Sequence, residues 1–420
     1  MKSISLVNPP SPWMISDRAL LPLGVLYLAS FLRQNGAEVQ FTDLSGGEFA
    51  KDYQIPEADV YGITFVSPQF VYAKEILQKI RERDPKAVVL AGGVHATSIP
   101  ESVLNAGFDA VVRGEGELST LDVLVNGLTK KIYPVDYIKD INSLPFPAWD
   151  LIDMKSYTTN LDVMGYMDSG LAEEREINVM GTRGCPGKCN YCTEYKGALR
   201  WRTPENVMDE IKTLRDTYGV NRISFCDDNL VVDKKWLAKL CDQLYAVGTK
   251  WHCLGRADQV KEETCQVMAD AGCMGIDFGI ETGAQRMLDI INKNTTVEKQ
   301  ERGIRAAYNA GLKVRAQLMV GLPGETEEDI QETLQFINRN NQYVAKWGVH
   351  VFVPFPSCTF WREAEKYGYE IDKNTDFSNF QTIGKPGEWN YIPKDNQAVI
   401  AQRRDTLLDA IANKNIYARD

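Results

Sequence analysis

Ile177-Asn178-Val179-Met180-Gly181-Thr182-Arg183-Gly184-Cys185-Pro186-Gly187-Lys188-Cys189-Asn190-Tyr191-Cys192 opens as a short apolar strand and closes on three cysteines spaced C-x3-C-x2-C. Glycine and proline at 181, 184, 186 and 187 keep the second half out of a helix, so it reads as a loop. A loop can wrap several thiolates around one small object. Iron–sulfur clusters are held by cysteine thiolates, and a [4Fe–4S] cube offers four irons, so three ligands leave one iron open. An open position marks a catalytic metal site rather than a closed structural one, as with zinc. Zinc and a disulfide are the competing readings. Zinc would recruit histidine, but His95, His252 and His350 stand at no zinc-ligand spacing from the loop. Nine cysteines scattered through a large chain with no signal peptide point to a reducing compartment, which disfavours a disulfide.

Downstream of the loop, strand and helix alternate. Helices are expected at about 204–218, 233–246, 260–270, 297–310 and 326–339, with strands at 222–226, 250–254, 275–278, 314–320 and 348–352. With Ile177–Met180 this makes about six strands, and a right-handed parallel β/α array of that length curls into a barrel or part of one. Its active site should lie at the carboxyl ends of the strands. Those ends are polar where a buried strand should be apolar: Asp227-Asp228-Asn229, Gly255-Arg256-Ala257-Asp258, Gly279-Ile280-Glu281-Thr282-Gly283 and Gly321-Leu322-Pro323-Gly324-Glu325, the last after a strand that holds Gln317. A single polar residue there is a helix cap, the reading that suits Asp233 and Thr326. Four clusters together point to a ligand site. Cys226, Cys253, Cys273, Cys241 and Cys265 read as core, and Cys358 falls in a loop near the barrel mouth.

Upstream lies a linker, residues 131–175. Two prolines in Leu144-Pro145-Phe146-Pro147-Ala148-Trp149-Asp150 impose an extended strap, and the polar stretch 158–175 reads as a flexible lid. Before it, residues 1–130 alternate five apolar strands (Ile4–Val7, Glu38–Thr42, Val60–Phe65, Ala87–Ala91, Asp109–Val112) with helices, the pattern of a doubly wound parallel sheet covered on both faces. Ligands of such a sheet sit beyond the carboxyl ends of its strands. No G-x-G-x-x-G follows the first strand and no P-loop lysine motif is present, so a nucleotide site is disfavoured. After the barrel, residues 351–420 are rich in aromatics (Trp361, Tyr367, Tyr369, Phe377, Phe380, Trp389, Tyr391) that read as a small cap core.

The cysteine loop resembles the cluster motif of the radical S-adenosylmethionine (SAM) superfamily. There the three cysteines hold a [4Fe–4S] cluster whose fourth iron is chelated by the amino and carboxylate groups of SAM. The resemblance implies Cys185, Cys189 and Cys192 as ligands and places Tyr191 beside SAM. Gly-Ile-Glu-Thr-Gly at 279–283 and Gly-Leu-Pro-Gly-Glu at 321–325 also resemble radical SAM strand-end motifs, while the usual Gly-Gly-Glu is replaced by Cys226-Asp227-Asp228. SAM needs a cation for its carboxylate and carboxylates for its ammonium or ribose. Arg256 suits the first role, Asp228 and Glu281 the second, and Gln317 joins the SAM site. In the first domain, Pro22-Leu23-Gly24, Gly92-Gly93-Val94-His95-Ala96-Thr97 and Gly114-Glu115-Gly116-Glu117 resemble the cobalamin-binding domain of one radical SAM subgroup. The resemblance implies contacts from Pro10, Ser67, Gly92, Gly93, His95, Gly114 and Glu115. The D-x-H-x-x-G motif of cobalamin mutases is absent, so the cofactor is expected base-off, with His95 at the corrin edge or a phosphate.

The chain has 420 residues, 44% hydrophobic and 25% charged, with net charge −10. That length implies two or three domains, and the acidic balance disfavours nucleic acid as a partner. No apolar run approaches the roughly 20 residues needed to cross a bilayer, and a cytoplasmic enzyme is expected. The expected cofactors are a [4Fe–4S] cluster, SAM and cobalamin. The implied activity is methyl transfer from methylcobalamin to an unactivated carbon, on a substrate radical made by the 5′-deoxyadenosyl radical. A cyclase, ring-contraction or rearrangement enzyme is the alternative. The partners would be a small-molecule or peptide substrate and an electron donor such as flavodoxin or ferredoxin. No residue is assigned to the chemical step itself.

Overall fold

Strand and helix alternate into two all-parallel sheets in the computed structural model, which describes residues 2–14, 17–18, 21–158, 175–367, 377–380, 389, 391–392 and 394–414. The first sheet is built from β1 (Ile4–Asn8), β2 (Val39–Asp43), β3 (Val60–Thr64), β4 (Val88–Gly92), β5 (Ala110–Gly114) and β6 (Ile132–Asp136), in the order β2-β1-β3-β4-β5-β6. Winding reverses between β1 and β3, the switch point at which open α/β sheets bind ligands. β6 corrects the expectation of five strands and of a linker beginning at 131. Its Pro134 looks like a strand breaker, but proline is tolerated on an edge strand, where its missing N–H faces no neighbour.

One face of this sheet (Ile4, Leu6, Val60, Leu90, Val112) packs against Val25, Ala29 and Leu32 of helix Leu23–Gln34 and Val123 and Leu124 of helix Glu117–Asn126. The other face packs Val7, Ile63, Val89 and Val111 against Phe70, Ala73, Ile76 and Leu77 of helix Phe70–Arg83. Burying both faces explains why these strands read as near-continuous apolar runs.

The second sheet has β7 (Glu176–Val179), β10 (Arg222–Phe225), β11 (Lys250–Gly255), β12 (Cys273–Glu281), β13 (Lys313–Val320) and β14 (Lys346–Val351), in the order β14-β13-β12-β11-β10-β7. Among the described residues β7 and β14 do not pair with each other, so this is the open (β/α)6 array expected. A small antiparallel ladder, β8 (Thr182–Arg183) with β9 (Arg200–Trp201), closes the base of the cysteine loop.

The proline strap packs onto the first helix. Ala148 N donates to Leu26 O at 3.1 Å, Trp149 is buried, and Arg33 pairs with Asp150 at 2.8 Å. The lid expected at 158–175 falls almost wholly outside the described residues. Of the C-terminal aromatics, Trp361, Phe377, Phe380 and Tyr391 pack ring against ring, with centroids 5.0–5.8 Å apart, as a cap core. Phe377 lies 4.7 Å from the His95 ring, so this cap touches the first domain.

Candidate active site

The cysteine loop, 184–199, is held from three directions. At its base Gly184 takes φ +94°, and a Cβ there would come 2.7 Å from Ala198 O and 2.9 Å from Lys196 O, so only glycine lets the loop close. The buried Asp227 carboxylate accepts from the Gly181 amide (3.1 Å), the Thr182 amide and the Thr182 hydroxyl (2.6 Å). Burial pushes Asp227 up to about 6 against the pull of those donors. On one flank Asn190 N and Nδ2 donate to Ile291 O (2.9 Å) and Ile290 O (2.8 Å), and Asn292 Nδ2 donates to Lys188 O (2.8 Å). On the other, Glu194 N donates to Ser357 O (3.0 Å) and Thr359 Oγ1 to Glu194 Oε1 (2.9 Å). Cys358, in this docking segment, is buried, and burial pushes its thiol up to about 11.

Cys185, Cys189 and Cys192 carry free, partly buried thiols. A Cβ on Gly187 would lie 3.4 Å from Cys185 Sγ and 3.9 Å from Cys189 Sγ, so the glycine keeps the space between these sulfurs clear. A cation attends them: Arg256 Nη1 is 3.9 Å from Cys189 Sγ. Three free thiols on one short loop, with a cation beside them, fit a [4Fe–4S] cluster with one iron left for another ligand.

Beside the loop, Glu281 adopts φ +70° at a bulge in β12, a left-handed conformation costly for a non-glycine residue. Its Oε1 accepts from Tyr191 Oη (2.9 Å) and Lys293 Nζ (2.8 Å). Gly279 makes room, since a Cβ there would sit 2.4 Å from Glu281 Oε1. Lys293 lies between Asn292 and Asn294, both at φ +53°, and its carbonyl accepts from Arg256 Nη2 at 2.6 Å. The structure brings Tyr191, Glu281 and Arg256 around Lys293. Arg256 and Gln317 each have further partners within the protein. Arg256 is gripped by Asp258 through two bonds of 3.0 and 2.9 Å, and its Nη1 lies 3.9 Å from the Cys189 sulfur. Gln317 has both ends of its amide engaged: Nε2 donates to Asp277 at 3.0 Å, and Oε1 lies 3.0 Å from His350 Nε2.

Lys293 and Glu281 are both almost fully buried. Removing one member of such a pair costs about 3–5 kcal/mol, because the other charge stays buried alone. Lys293→Met is therefore expected to lower the unfolding free energy by about that much in denaturant titration. Lys293→Met combined with Glu281→Gln should recover most of the loss.

Between the two sheets lies a cavity of about 450 Å³. Its deep end runs along the first sheet past Leu6, Gly62, Leu90 and Val112, beneath Gly24, Leu28, Gly116 and Thr120 of the flanking helical segments. Its mouth is formed by Gly92, Gly93, Gly114 and Glu115 on one side and by Arg183, Gly184, Lys196, Cys226 and Asp228 on the other. An ideal Cβ on Gly24 or Gly92 meets nothing within 4 Å, so these glycines keep an apolar slot open for a ligand. A long slot widening above strand ends fits a cofactor with a flat ring and a nucleotide tail. Asp228, expected at SAM, faces this cavity and pairs with Lys196 at 3.3 Å. Cys226, expected as core, lines it too.

Of the expected cobalamin contacts, Gly92, Gly93, Gly114 and Glu115 line the cavity; Pro10, Ser67 and His95 do not. Glu115 is drawn into a clamp between the domains, taking Arg200 at 2.7 Å and Arg183 at 3.4 Å. His95 is turned inward by the short helix Val94–Ser98. Its Nδ1 sits 3.0 Å from Ser67 Oγ, and its ring packs against Phe70 and Phe377. Burial pushes His95 down to about 3. The unfolded chain would bind this proton near pH 6.5 and the folded chain would not, so stability falls as pH drops below 6.5. His95→Phe is expected to remove about 2 kcal/mol of the stability lost between pH 7.5 and pH 5, measured as the shift in denaturation midpoint.

The Radical SAM superfamily profile matches residues 179–337 and the B12 binding domain profile residues 18–124. An uncharacterized methyltransferase of Pyrococcus horikoshii is 27% identical over 373 residues, covering 82% of this chain and 78% of that protein. An anaerobic magnesium-protoporphyrin IX monomethyl ester cyclase of Cereibacter sphaeroides is 29% identical over 385 residues, covering 81% of this chain and 60% of the cyclase. The structure of a radical SAM methyltransferase, TsrM of Kitasatospora setae, solved with cobalamin and a [4Fe–4S] cluster, aligns over 99% of this chain and 93% of its own, with TM-score 0.70 and 16% identity. Sheet, cavity and cysteine loop agree with these matches: the chain carries a B12 binding domain followed by a radical SAM domain. Among the described residues no helix is long and apolar enough to cross a membrane.

Proposed function

We propose that the protein is a cobalamin-dependent radical SAM methyltransferase that places a methyl group on an unactivated carbon of a small-molecule substrate. The observation that carries this reading is the shared cavity: the strand ends of the first sheet and the cysteine loop of the second form opposite walls of one space. When bound, the cluster and SAM supply a carbon-centred radical and cobalamin supplies the methyl group, which is chemistry the protein lacks by itself.

The chain's own residues bind and orient. Cys185, Cys189 and Cys192 hold the cluster, and Gly187 keeps its cradle clear. Tyr191 and Lys293 fix one oxygen of Glu281, so that the carboxylate can take the ammonium of SAM. Gly24, Gly92 and Gly114 would leave room for the corrin and its tail. The C-terminal aromatics close over the first domain and help to exclude water, which protects a radical. Electrons would come from a flavodoxin or ferredoxin.

The cyclase relatives support a second reading, ring formation without methyl transfer, although this chain spans only 60% of the cyclase named above. Anaerobically reconstituted protein, given SAM, hydroxocobalamin, reductant and a metabolite extract, separates the two. Methyl transfer yields 5′-deoxyadenosine together with S-adenosylhomocysteine, and a product heavier by one CH2. 5′-Deoxyadenosine without S-adenosylhomocysteine or that mass gain would favour the cyclase.

A further inference from the structure

We propose that Glu115 is a positioning residue: it ties both ends of the cysteine loop to the first domain and so sets the separation of corrin and cluster. The inference rests on the reading of one cavity shared by those two groups. Arg183 and Arg200 are direct partners across the β8–β9 ladder, one at the entrance to the loop and one at its exit. Like charges placed opposite each other on a ladder destabilise it. The first domain supplies the compensating carboxylates. Arg200 Nη2 donates to Glu115 Oε1 at 2.7 Å and Arg200 Nη1 to Glu115 Oε2 at 3.0 Å, a bidentate grip. Arg183 Nη1 donates to Glu117 Oε1 at 2.9 Å and lies 3.4 Å from Glu115 Oε2.

Glu115 also reaches the segment after β6, where its Oε2 accepts from Ile138 N at 2.8 Å; Arg200 Nη1 donates to Ile138 O at 2.6 Å. Two more contacts from the first domain land on the loop itself. The Tyr137 ring fills the space beside Gly197, where a Cβ would come 2.7 Å from Cε1, and the Arg113 guanidinium stands 5.4 Å from the centroid of the Tyr195 ring. The side chains of Glu115, Arg183 and Arg200 are only 16%, 11% and 11% exposed. At that burial the desolvation of each charge offsets much of the attraction, so the group adds little net stability. What it adds is geometry, because a guanidinium fork meets a carboxylate in one plane and at one distance. Glu115, Glu117, Arg183 and Arg200 all line the cavity, so the clamp stands in the wall between the strand ends of the first sheet and the cysteine loop.

The test needs no substrate. The full chain is reconstituted anaerobically with iron, sulfide and hydroxocobalamin, the content of each cofactor is measured, and the cob(II)alamin EPR signal is recorded with the cluster oxidised and then reduced. In wild type, reducing the cluster should broaden that signal. Arg200→Met and Glu115→Gln are expected to keep both cofactors and to lose much of the broadening, because the loop ends are released. Glu115→Asp keeps the charge and should retain more broadening than Glu115→Gln. If either single variant fails to fold, Glu115→Met combined with Arg200→Met decides: it removes both charges of the pair together, which a buried pair tolerates, and the broadening should still fall. Doubly loaded Arg200→Met or the double variant with wild-type broadening overturns this inference alone. So does loss of cobalamin from Glu115→Gln while Arg200→Met keeps both cofactors and full broadening, which would make Glu115 a cobalamin contact instead. A wild-type cob(II)alamin signal that ignores the reduced cluster overturns the shared cavity and this inference with it.

Discussion

With Cys185, Cys189 and Cys192 all replaced by alanine, the reconstituted chain is expected to lose its iron–sulfur absorbance completely and to form no 5′-deoxyadenosine from SAM. Three observations support an effect this large. The thiols are unpaired, and Gly187 leaves the Cys185 and Cys189 sulfurs uncrowded. A cation stands beside one of them, Arg256 at Cys189. Among the hydrogen bonds that hold the loop, those from Asp227, Asn190 and Asn292 come from or end on groups other than the thiols, so the triple substitution removes the ligands and leaves the loop its supports. The fold should survive, because the cysteines lie outside the hydrophobic core. Circular dichroism of the variant should match wild type. Retention of the absorbance would remove the cluster assignment.

Gly24→Leu is expected to abolish retention of hydroxocobalamin through desalting while leaving the protein at least as stable. Gly24 lies in the first turn of helix Leu23–Gln34 and lines the slot, and nothing lies within 4 Å of the Cβ it would gain. Replacing glycine in a helix by a good helix former stabilises it by up to about 1 kcal/mol. The added side chain would then occupy space that the nucleotide tail of the cofactor needs. Gly92→Leu, at the end of β4, also has open space around its Cβ and should obstruct the mouth instead. Loss of cobalamin with an unchanged or higher denaturation midpoint is the expected result. Full cobalamin retention by both variants would move the cofactor site elsewhere.

The parts of this site that depend on local spacing were legible in the sequence, and those that depend on distant contacts were not. C-x3-C-x2-C on a Gly- and Pro-rich segment is local, and it marked out the cysteine loop. The β/α alternation is local too, and it found both sheets. Lys293 was missed because its meaning depends on Glu281, twelve residues back, and on two asparagines that take left-handed backbone; only the Asn-Lys-Asn pattern hinted at it. Glu115 stood correctly at a strand end, but Arg200, eighty-five residues later, claims its carboxylate. His95 follows a glycine pair at the mouth of the cavity, yet one short helical turn rotates it into a core of phenylalanines. Gln317 was rightly placed on the fifth strand of the array, but its amide is engaged by the Asp277 and His350 side chains, each two residues from its register partners Gly279 and Gly348 on the neighbouring strands. Pro134 hid β6 because edge position is a tertiary fact.

The proposed function requires corrin and cluster to lie close together across the one cavity that the first sheet shares with Gly184, Tyr195 and Lys196 of the cysteine loop. The most direct test is EPR of the anaerobic protein carrying both cofactors in paramagnetic form, reduced cluster and cob(II)alamin, compared with samples carrying each alone. The doubly loaded sample should show spin–spin broadening and faster relaxation of the cob(II)alamin signal. A cob(II)alamin signal unchanged by the reduced cluster, with both centres shown to be present, would contradict the shared cavity.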